Sequence, residues 1–336
     1  MKRFLFGLLV LCVLMFLLPL AAIPLSNLRE EETLPAAVAS TKEGDAITTG
    51  TFGESYPVTL YLPSTGQVLN LDFEDYIAGI VGAELNPDFP EEAIKAQAVA
   101  ARSFLLSKVA TYLEDGIPDS HHGAILCGDF THCRSYTPLE EQADRQYIES
   151  VKRAVEATRG EYLTFDNKVA KAYFHKVSCG KTENVMDIWG VELPYLVSVE
   201  SESDLRADGY RSRVFFPKDA FFTVIRGLRP KLKLPDSLVD NALTIKCTTG
   251  GSVDTVTIFG EKFSGKEVQE GFGLKSRAFS LEFQENQAVF DVKGNGHGVG
   301  MSQAGAKAMA EGGAGYQEIL SHYYSGVSLS NLYQKP

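Results

Sequence analysis

Phe73, Ile77, Ile80 and Glu84 recur at spacings of four, three and four. This places a carboxylate on the apolar stripe of a helix, at its C-terminal end. Burial on that stripe and the negative end of the helix dipole both disfavour a charged side chain. A carboxylic acid that keeps its proton near neutral pH is what a general acid for glycosidic cleavage requires. The alternative is a helix end at which Glu84 simply reaches water. A second set of reactive groups is His121, Cys127, His132 and Cys133, all within thirteen residues. Two thiolates and two imidazoles suit four-coordinate zinc, with no position left open to generate hydroxide. The spacing is not that of a zinc finger, so a Cys127–Cys133 disulfide and a plain polar loop stand beside it. Cys179, with His175 or His297 as base, suggests a thiol hydrolase, but no Cys-peptidase signature surrounds it. Cys247 reads as a buried strand residue. A zinc peptidase lacks its HExxH-like helix.

These groups need a frame. Strands are expected at Tyr56–Leu62 and Gln67–Phe73 around the turn Ser64-Thr65-Gly66. A helix carries Glu74 to Leu85. A longer one starts at Pro90, with Asp88 as cap and Glu91 and Glu92 in its first turn, and runs to about Leu113. A His- and Cys-bearing loop covers Asp119 to Tyr136, and a helix spans Pro138–Thr158. Hairpins are expected for Tyr162–Phe165 with Val169–Val177, and for Leu243–Cys247 with Val253–Phe259. A Gly-rich loop, Gly294–Gly300, precedes helices near Ser302–Glu311 and Tyr316–Tyr324. Helices and hairpins in mixed order favour an α+β fold, with two lobes around a substrate groove.

Composition narrows the function classes. The chain has 336 residues, 44% hydrophobic and 22% charged, as globular proteins have. With 32 Lys and Arg against 43 Asp and Glu, its net charge is −11. That balance excludes general binding of nucleic-acid phosphates. Five cysteines are too few for a disulfide-dense scaffold. Lys2 and Arg3 precede an uncharged apolar run, Phe4 to Ile23, about the length that spans a bilayer. It reads as a signal anchor over residues 1–23, with a cleaved signal peptide as the alternative. The basic end stays cytoplasmic and the rest is exported. Small, polar and acidic residues over 24–55 form a linker, and 56–336 form the catalytic domain.

Three motifs carry a family resemblance. Glu84 is followed by Pro90-Glu91-Glu92-Ala93-Ile94-Lys95-Ala96-Gln97-Ala98-Val99-Ala100-Ala101-Arg102-Ser103. Tyr173-Phe174-His175 precedes Ser178-Cys179-Gly180-Lys181-Thr182-Glu183-Asn184. Gly296-His297-Gly298-Val299-Gly300-Met301-Ser302-Gln303 precedes Gly305-Ala306, with His322-Tyr323-Tyr324 in the tail. From Tyr56 to Leu332 the chain resembles the stage II sporulation protein D (SpoIID) family, and three long motifs in order make the match specific. The chain departs from the pattern at Lys176, Val177, Cys179, Asn295 and Ala304, which replace Ser, Thr, Gly and two tyrosines.

The resemblance implies a lytic transglycosylase acting on peptide-stripped peptidoglycan glycan strands during engulfment. Such a protein is anchored in the mother-cell membrane and faces the intermembrane space. Its partners are the amidase SpoIIP and the membrane protein SpoIIM. Glu84 would be acid and base, closing a 1,6-anhydro ring without a second carboxylate, whereas glycoside hydrolases use a pair. Arg102 would orient Glu84 or hold a sugar oxygen, or else form a structural ion pair. A cation touching Glu84 itself would count against the acid role. Motif position makes Tyr173, Ser178, His297, Ser302, Gln303 and Tyr324 groove residues. Some SpoIID-like proteins carry zinc on the pattern of His121, Cys127, His132 and Cys133, so one structural zinc is expected here. Related domains occur in amidase enhancers, which makes a non-catalytic glycan binder the second reading. Trp189, the only tryptophan, reads equally as core and as sugar platform.

Overall fold

Val58 and Leu60 alternate with more exposed neighbours along β1 (Pro57–Leu62), which pairs antiparallel with β2 (Gln67–Asp72). The hairpin delivers Asp72 as cap of α1 (Phe73–Glu84), where its carboxylate accepts from the Glu74 N–H at 2.9 Å. The computed structural model that shows this describes residues 56–129, 133–141, 144–238 and 243–333. The expected membrane helix at 1–23, the linker at 24–55 and His132 lie outside the described residues. Among the described residues no helix is long and apolar enough to cross a membrane.

The long helix α2 (Glu91–Asp115) starts one residue later than expected, with Pro90 at its cap. Asp88, expected to cap it, instead binds Lys307. Ala96, Ala98, Ala100 and Ala101 are all buried, so α2 is packed on every side and forms the centre of the first core. After the short β3 (Leu126–Cys127), parallel to β1, comes α3 (Arg145–Ala157). It is shorter than expected because Asp144 caps it, accepting from the Tyr147 N–H at 3.0 Å. β4 (Glu161–Phe165) and β5 (Lys168–Val169) turn through Asp166 and Asn167, both at positive φ. β5 ends after two residues, so the expected hairpin arm to Val177 is not a continuous strand. β6 (Phe174–His175) and the short α4 (Val185–Trp189) follow.

Between Tyr210 and Gly294 the chain builds a second core of its own. Its elements are β7 (Arg211–Pro217), α5 (Lys218–Leu228), β8 (Thr244–Cys247), β9 (Val253–Ile258), β10 (Glu261–Ser264), α6 (Gly265–Phe272), β11 (Phe279–Gln284) and β12 (Gln287–Lys293). They form two antiparallel sheets, in the orders β10-β9-β8 and β11-β12-β7, around phenylalanines such as Phe221 and Phe272, whose rings stack at 5.0 Å. The Gly294 N–H donates to the Tyr210 carbonyl at 2.6 Å, closing the excursion. β13 (Met301–Ser302) then lies parallel to β6, and Val177 bridges Asn295. The second and third motifs are therefore neighbours. α7 (Gln303–Glu311), α8 (Tyr316–Tyr323) and β14 (Ser328–Asn331), paired with β4, complete a mixed α+β fold.

Candidate active site

Glu84 is the last residue of α1, where unpaired carbonyls must find donors. The Tyr147 hydroxyl from α3 supplies one, lying 3.0 Å from the Leu85 carbonyl and 3.3 Å from those of Val81 and Gly82. This fixes the turn that carries Glu84. One turn and a half earlier, Gly79 leaves room for the segment after Cys133. A Cβ there would overlap the Tyr136 ring and sit 2.8 Å from the Thr137 carbonyl. The close approach brings Arg134 onto α1. Its guanidinium lies over the Phe174 ring at 3.9 Å and the Phe104 ring at 4.7 Å. Its Nη1 reaches 3.6 Å from Glu84 Oε1, longer than a hydrogen bond. Burial holds the Arg134 pKa below its usual value, while the charge of Glu84 pulls it up. From the other side, Gln303 at the start of α7 directs its amide to Glu84 Oε2 at 3.5 Å and to Gln97 Oε1 at 3.4 Å. Glu84 keeps 19% of its side chain exposed. Full burial on the apolar stripe, expected from spacing, is therefore corrected: the helix ends there and the carboxylate turns to a cavity.

That cavity holds about 460 Å³ and is lined by Glu84, Phe89, Lys176, Arg206, Gln303 and Lys307 among others. This is within the size range of ligand pockets. Its lining comes wholly from outside residues 211–293, so it is not a groove between the two cores. Lys176, Val177, Asn295 and Ala304, four of the departures from the family pattern, all line it. Asp88 on its rim is held below the usual carboxylate range by its hydrogen bond to Lys307. Asp208 and Glu311 also line the cavity.

The other expected groove residues divide. Arg102 is fully buried and ion-paired with Glu74, its Nη2 2.6 Å and Nε 3.1 Å from the two carboxylate oxygens. Its Nη1 donates to the Glu161 carbonyl at 2.7 Å. Glu74 lies ten residues before Glu84, about 15 Å along α1. Arg102 is thus corrected to a structural staple, and the cation at Glu84 is Arg134. Ser302 caps α7, accepting from the Gly305 N–H. Ser178 is buried, accepts from the Gly180 N–H, and its own N–H donates to Asp204. Tyr324 is buried and donates to the Tyr173 carbonyl at 2.8 Å. These three brace the site from behind and present nothing to the cavity. Tyr173 and His297 are partly exposed neighbours, with ring centroids 6.1 Å apart. His297 accepts the Val299 N–H on Nδ1, and burial pushes its pKa well below the usual value, so it stays neutral. The glycines of this loop approach protein closely. A Cβ at Gly300 would collide with the Tyr173 carbonyl, and one at Gly298 would sit 2.9 Å from Glu183.

His121, Cys127 and Cys133 converge, their ligand atoms all within 4.8 Å of one another and buried. Cys133 Sγ lies 3.6 Å from His121 Nε2, close to the ~3.5 Å that a tetrahedral zinc imposes on such a pair. His121 Nδ1 faces the Ala124 carbonyl at 3.2 Å, which leaves Nε2 for a metal. Its neighbour His122 instead packs on Tyr61. Neither thiol is in a disulfide, and burial pushes Cys127 up to about 12. A cation would supply the charge that makes them ligands. The donor set fits zinc. Cys179 suits a nucleophile poorly: burial raises its pKa, and its thiol donates to the Gly250 carbonyl at 2.9 Å. The Nδ1 of His175 faces the Val299 carbonyl, and burial lowers this residue to about 4.

Sequence similarity bears on the same residues. A family model described as stage II sporulation protein matches residues 62–165, the stretch that carries Glu84, the clustered His and Cys residues and Arg134. Stage II sporulation protein D of Bacillus amyloliquefaciens is 34% identical, over 81% of this chain and 78% of the relative. Its namesake in Bacillus subtilis (strain 168) is 32% identical, over 98% of this chain and 96% of the relative. An amidase enhancer of Bacillus subtilis is 24% identical over 76% of this chain and 40% of its own length. With a relative above 30% identity matched from end to end, the chain belongs to the stage II sporulation protein D family.

Proposed function

We propose that this protein is a peptidoglycan lytic transglycosylase acting on peptide-stripped glycan strands during engulfment. The observation that carries the reading is the Glu84 carboxylate, fixed at a helix end, partly exposed to a ligand-sized cavity and flanked by Gln303. Glu84 gives its proton to the oxygen linking N-acetylmuramic acid to N-acetylglucosamine, and that bond breaks. Positive charge builds at the muramic C1. The carboxylate so formed, faced by Arg134 and Gln303, takes the proton of the C6 hydroxyl. The C6 oxygen attacks C1 and closes the 1,6-anhydro ring, leaving Glu84 protonated again.

The remaining parts of the proposal follow the family and the residues. Zinc held by His121, Cys127 and Cys133, with His132 as fourth ligand, is structural, since four protein ligands leave no open position. Residues 1–23 anchor the chain in the mother-cell membrane with the body outside the cytoplasm. A SpoIIP-like amidase and a SpoIIM-like membrane protein are its partners. The second reading is a non-catalytic glycan binder that enhances an amidase. It is favoured by the Arg134 guanidinium standing beside Glu84 and by the likeness to an amidase enhancer.

Mass spectrometry of peptide-free strands treated with wild type and with Glu84→Gln separates the readings. Anhydromuramic ends that vanish in the variant support lysis. Reducing ends that depend on Glu84 mean a hydrolase, with Asp208 or Glu311 as its second acid. Binding without cutting, together with a faster amidase, selects the enhancer.

A further inference from the structure

Trp189 is 37% exposed, although an indole is the largest apolar side chain a fold can hide. It is held rigidly. It ends the short α4, which Gly190 closes in the left-handed conformation by donating to the Met186 carbonyl at 2.9 Å. Arg277, from the second core, donates to the carbonyl of the adjacent Ile188 at 3.2 Å. The Asn184 carboxamide accepts from the Ser198 N–H at 2.8 Å, tying down the start of the same turn. The indole packs against the Tyr173 ring at 4.6 Å and the His297 ring at 5.0 Å. Both neighbours are uncharged at neutral pH: burial raises the Tyr173 phenol and lowers the His297 imidazole. An apolar face is therefore presented in one orientation, beside groups that hydrogen-bond without carrying charge.

The partly exposed loop at 295–298 links the Glu84 cavity to the platform: Asn295 lines the cavity, and His297, two residues on, contacts Trp189. Arg134, 3.6 Å from Glu84, lies over Phe104, whose ring is 5.5 Å from that of Tyr173, and Tyr173 contacts Trp189. Trp189 itself does not line the cavity. A linear polymer seated across Glu84 would extend beyond the cavity along the partly exposed 295–298 loop, toward Trp189. The C–H face of a pyranose is an apolar surface of about the area of an indole, and its rim hydroxyls seek neutral hydrogen-bonding groups. Rigid aromatic contacts give affinity at small entropic cost.

We propose that Trp189 is a stacking platform for one pyranose ring of the glycan strand, a subsite remote from the cleaved bond. The proposal rests on the glycan reading of the Glu84 cavity. Trp189 is the chain's only tryptophan, so its fluorescence reports this position alone.

The test uses the full-length chain carrying Glu84→Gln, which keeps the ligand intact, and a peptide-free octasaccharide of alternating N-acetylglucosamine and N-acetylmuramic acid. Calorimetry measures binding, and tryptophan emission is followed in the same titration. The expected result is a saturating change in emission with the calorimetric Kd. Adding Trp189→Ala should weaken calorimetric binding three- to tenfold. Trp189→Phe, which keeps a ring and the packing against Tyr173, should fall between. Calorimetric binding with unchanged emission and equal affinity in Trp189→Phe and Trp189→Ala overturns the platform while leaving the glycan reading standing. No heat with any variant removes both.

Discussion

Replacing Arg102 by Met removes the cation from a buried pair and leaves Glu74, 4% exposed, without its hydrogen-bonded counter-ion. Three hydrogen bonds go with the guanidinium, two to Glu74 and one to the Glu161 carbonyl. Glu74 Oε1 keeps only neutral donors, the Gly160 N–H at 3.1 Å and the Tyr333 hydroxyl at 3.3 Å. Breaking such a pair from one side costs about 3–5 kcal/mol, because a buried charge stays uncompensated. For a chain of this size that lowers Tm by roughly 6–20 °C. Glu74→Gln beside Arg102→Met removes the stranded charge and keeps an acceptor for Gly160. The double variant should therefore regain about 2 kcal/mol over Arg102→Met alone; the coupling is that gain plus whatever Glu74→Gln costs by itself, well outside the error of additivity. Urea unfolding followed by circular dichroism, on the four members of the cycle, measures it. An Arg102→Met variant that loses less than about 1 kcal/mol, yet binds glycan weakly, would refute the staple and return Arg102 to the substrate.

Gln303→Ala should lower kcat on peptide-free glycan about tenfold, with thermal stability shifted by less than about 1 kcal/mol, since its two contacts are long and lie at the cavity; an unchanged kcat would exclude Gln303 from the reaction. Elemental analysis of the purified chain should find one zinc, and Cys133→Ser should release it and lower Tm; no metal together with an intact Cys127–Cys133 disulfide by mass spectrometry would reject the clip. Glu267 is held down to about 2 from 4.5, chiefly by its hydrogen bond to Arg229 and then by the Ser264 capping box. A folded-state value below the unfolded one stabilises above about pH 4.5, and that contribution is lost as pH falls toward 2. Glu267→Gln should therefore flatten the stability profile over that window, and urea midpoints at several pH values would show it.

Much of the frame was legible because its signals are local. The Asp166-Asn167 turn requires the positive φ those residues tolerate, whereas the Asp144 cap, which starts α3 seven residues later than expected, went unread. Glu84 could be read because a stripe of three apolar residues points at it. Arg102 was misplaced for the opposite reason. α2 is buried all round, so position on it does not say which way a side chain faces. Arg134 sits in a loop with no periodicity, and only its adjacency to Cys133, a residue fixed by the buried cluster, hinted that it too would be held. Tyr147 gave no signal at all, since capping carbonyls 62 to 66 residues away leaves no trace in local pattern. The second core carries no motif, yet ten of the 20 phenylalanines fall between residues 211 and 293. That concentration was the available sign of a separate hydrophobic centre.

The hydrogen bond from Gly294 to Tyr210 makes the second core a detour with adjoining doors. A chain that departs and comes back at one point can exchange whatever lies between without shifting a single strand register elsewhere. Threads to the rest of the chain keep this detour from being freely interchangeable, and two bear on the site. Glu183, buried at the third motif's loop, takes its side-chain partners from Thr248 and Ser252, and Arg277 holds the turn before Trp189. A substitute module that omitted the first would strand a carboxylate behind His297, and one that omitted the second would loosen the indole. Exchange at this junction is thus open in length and composition, but closed at the side chains of Thr248 and Arg277 and at the backbone N–H of Ser252.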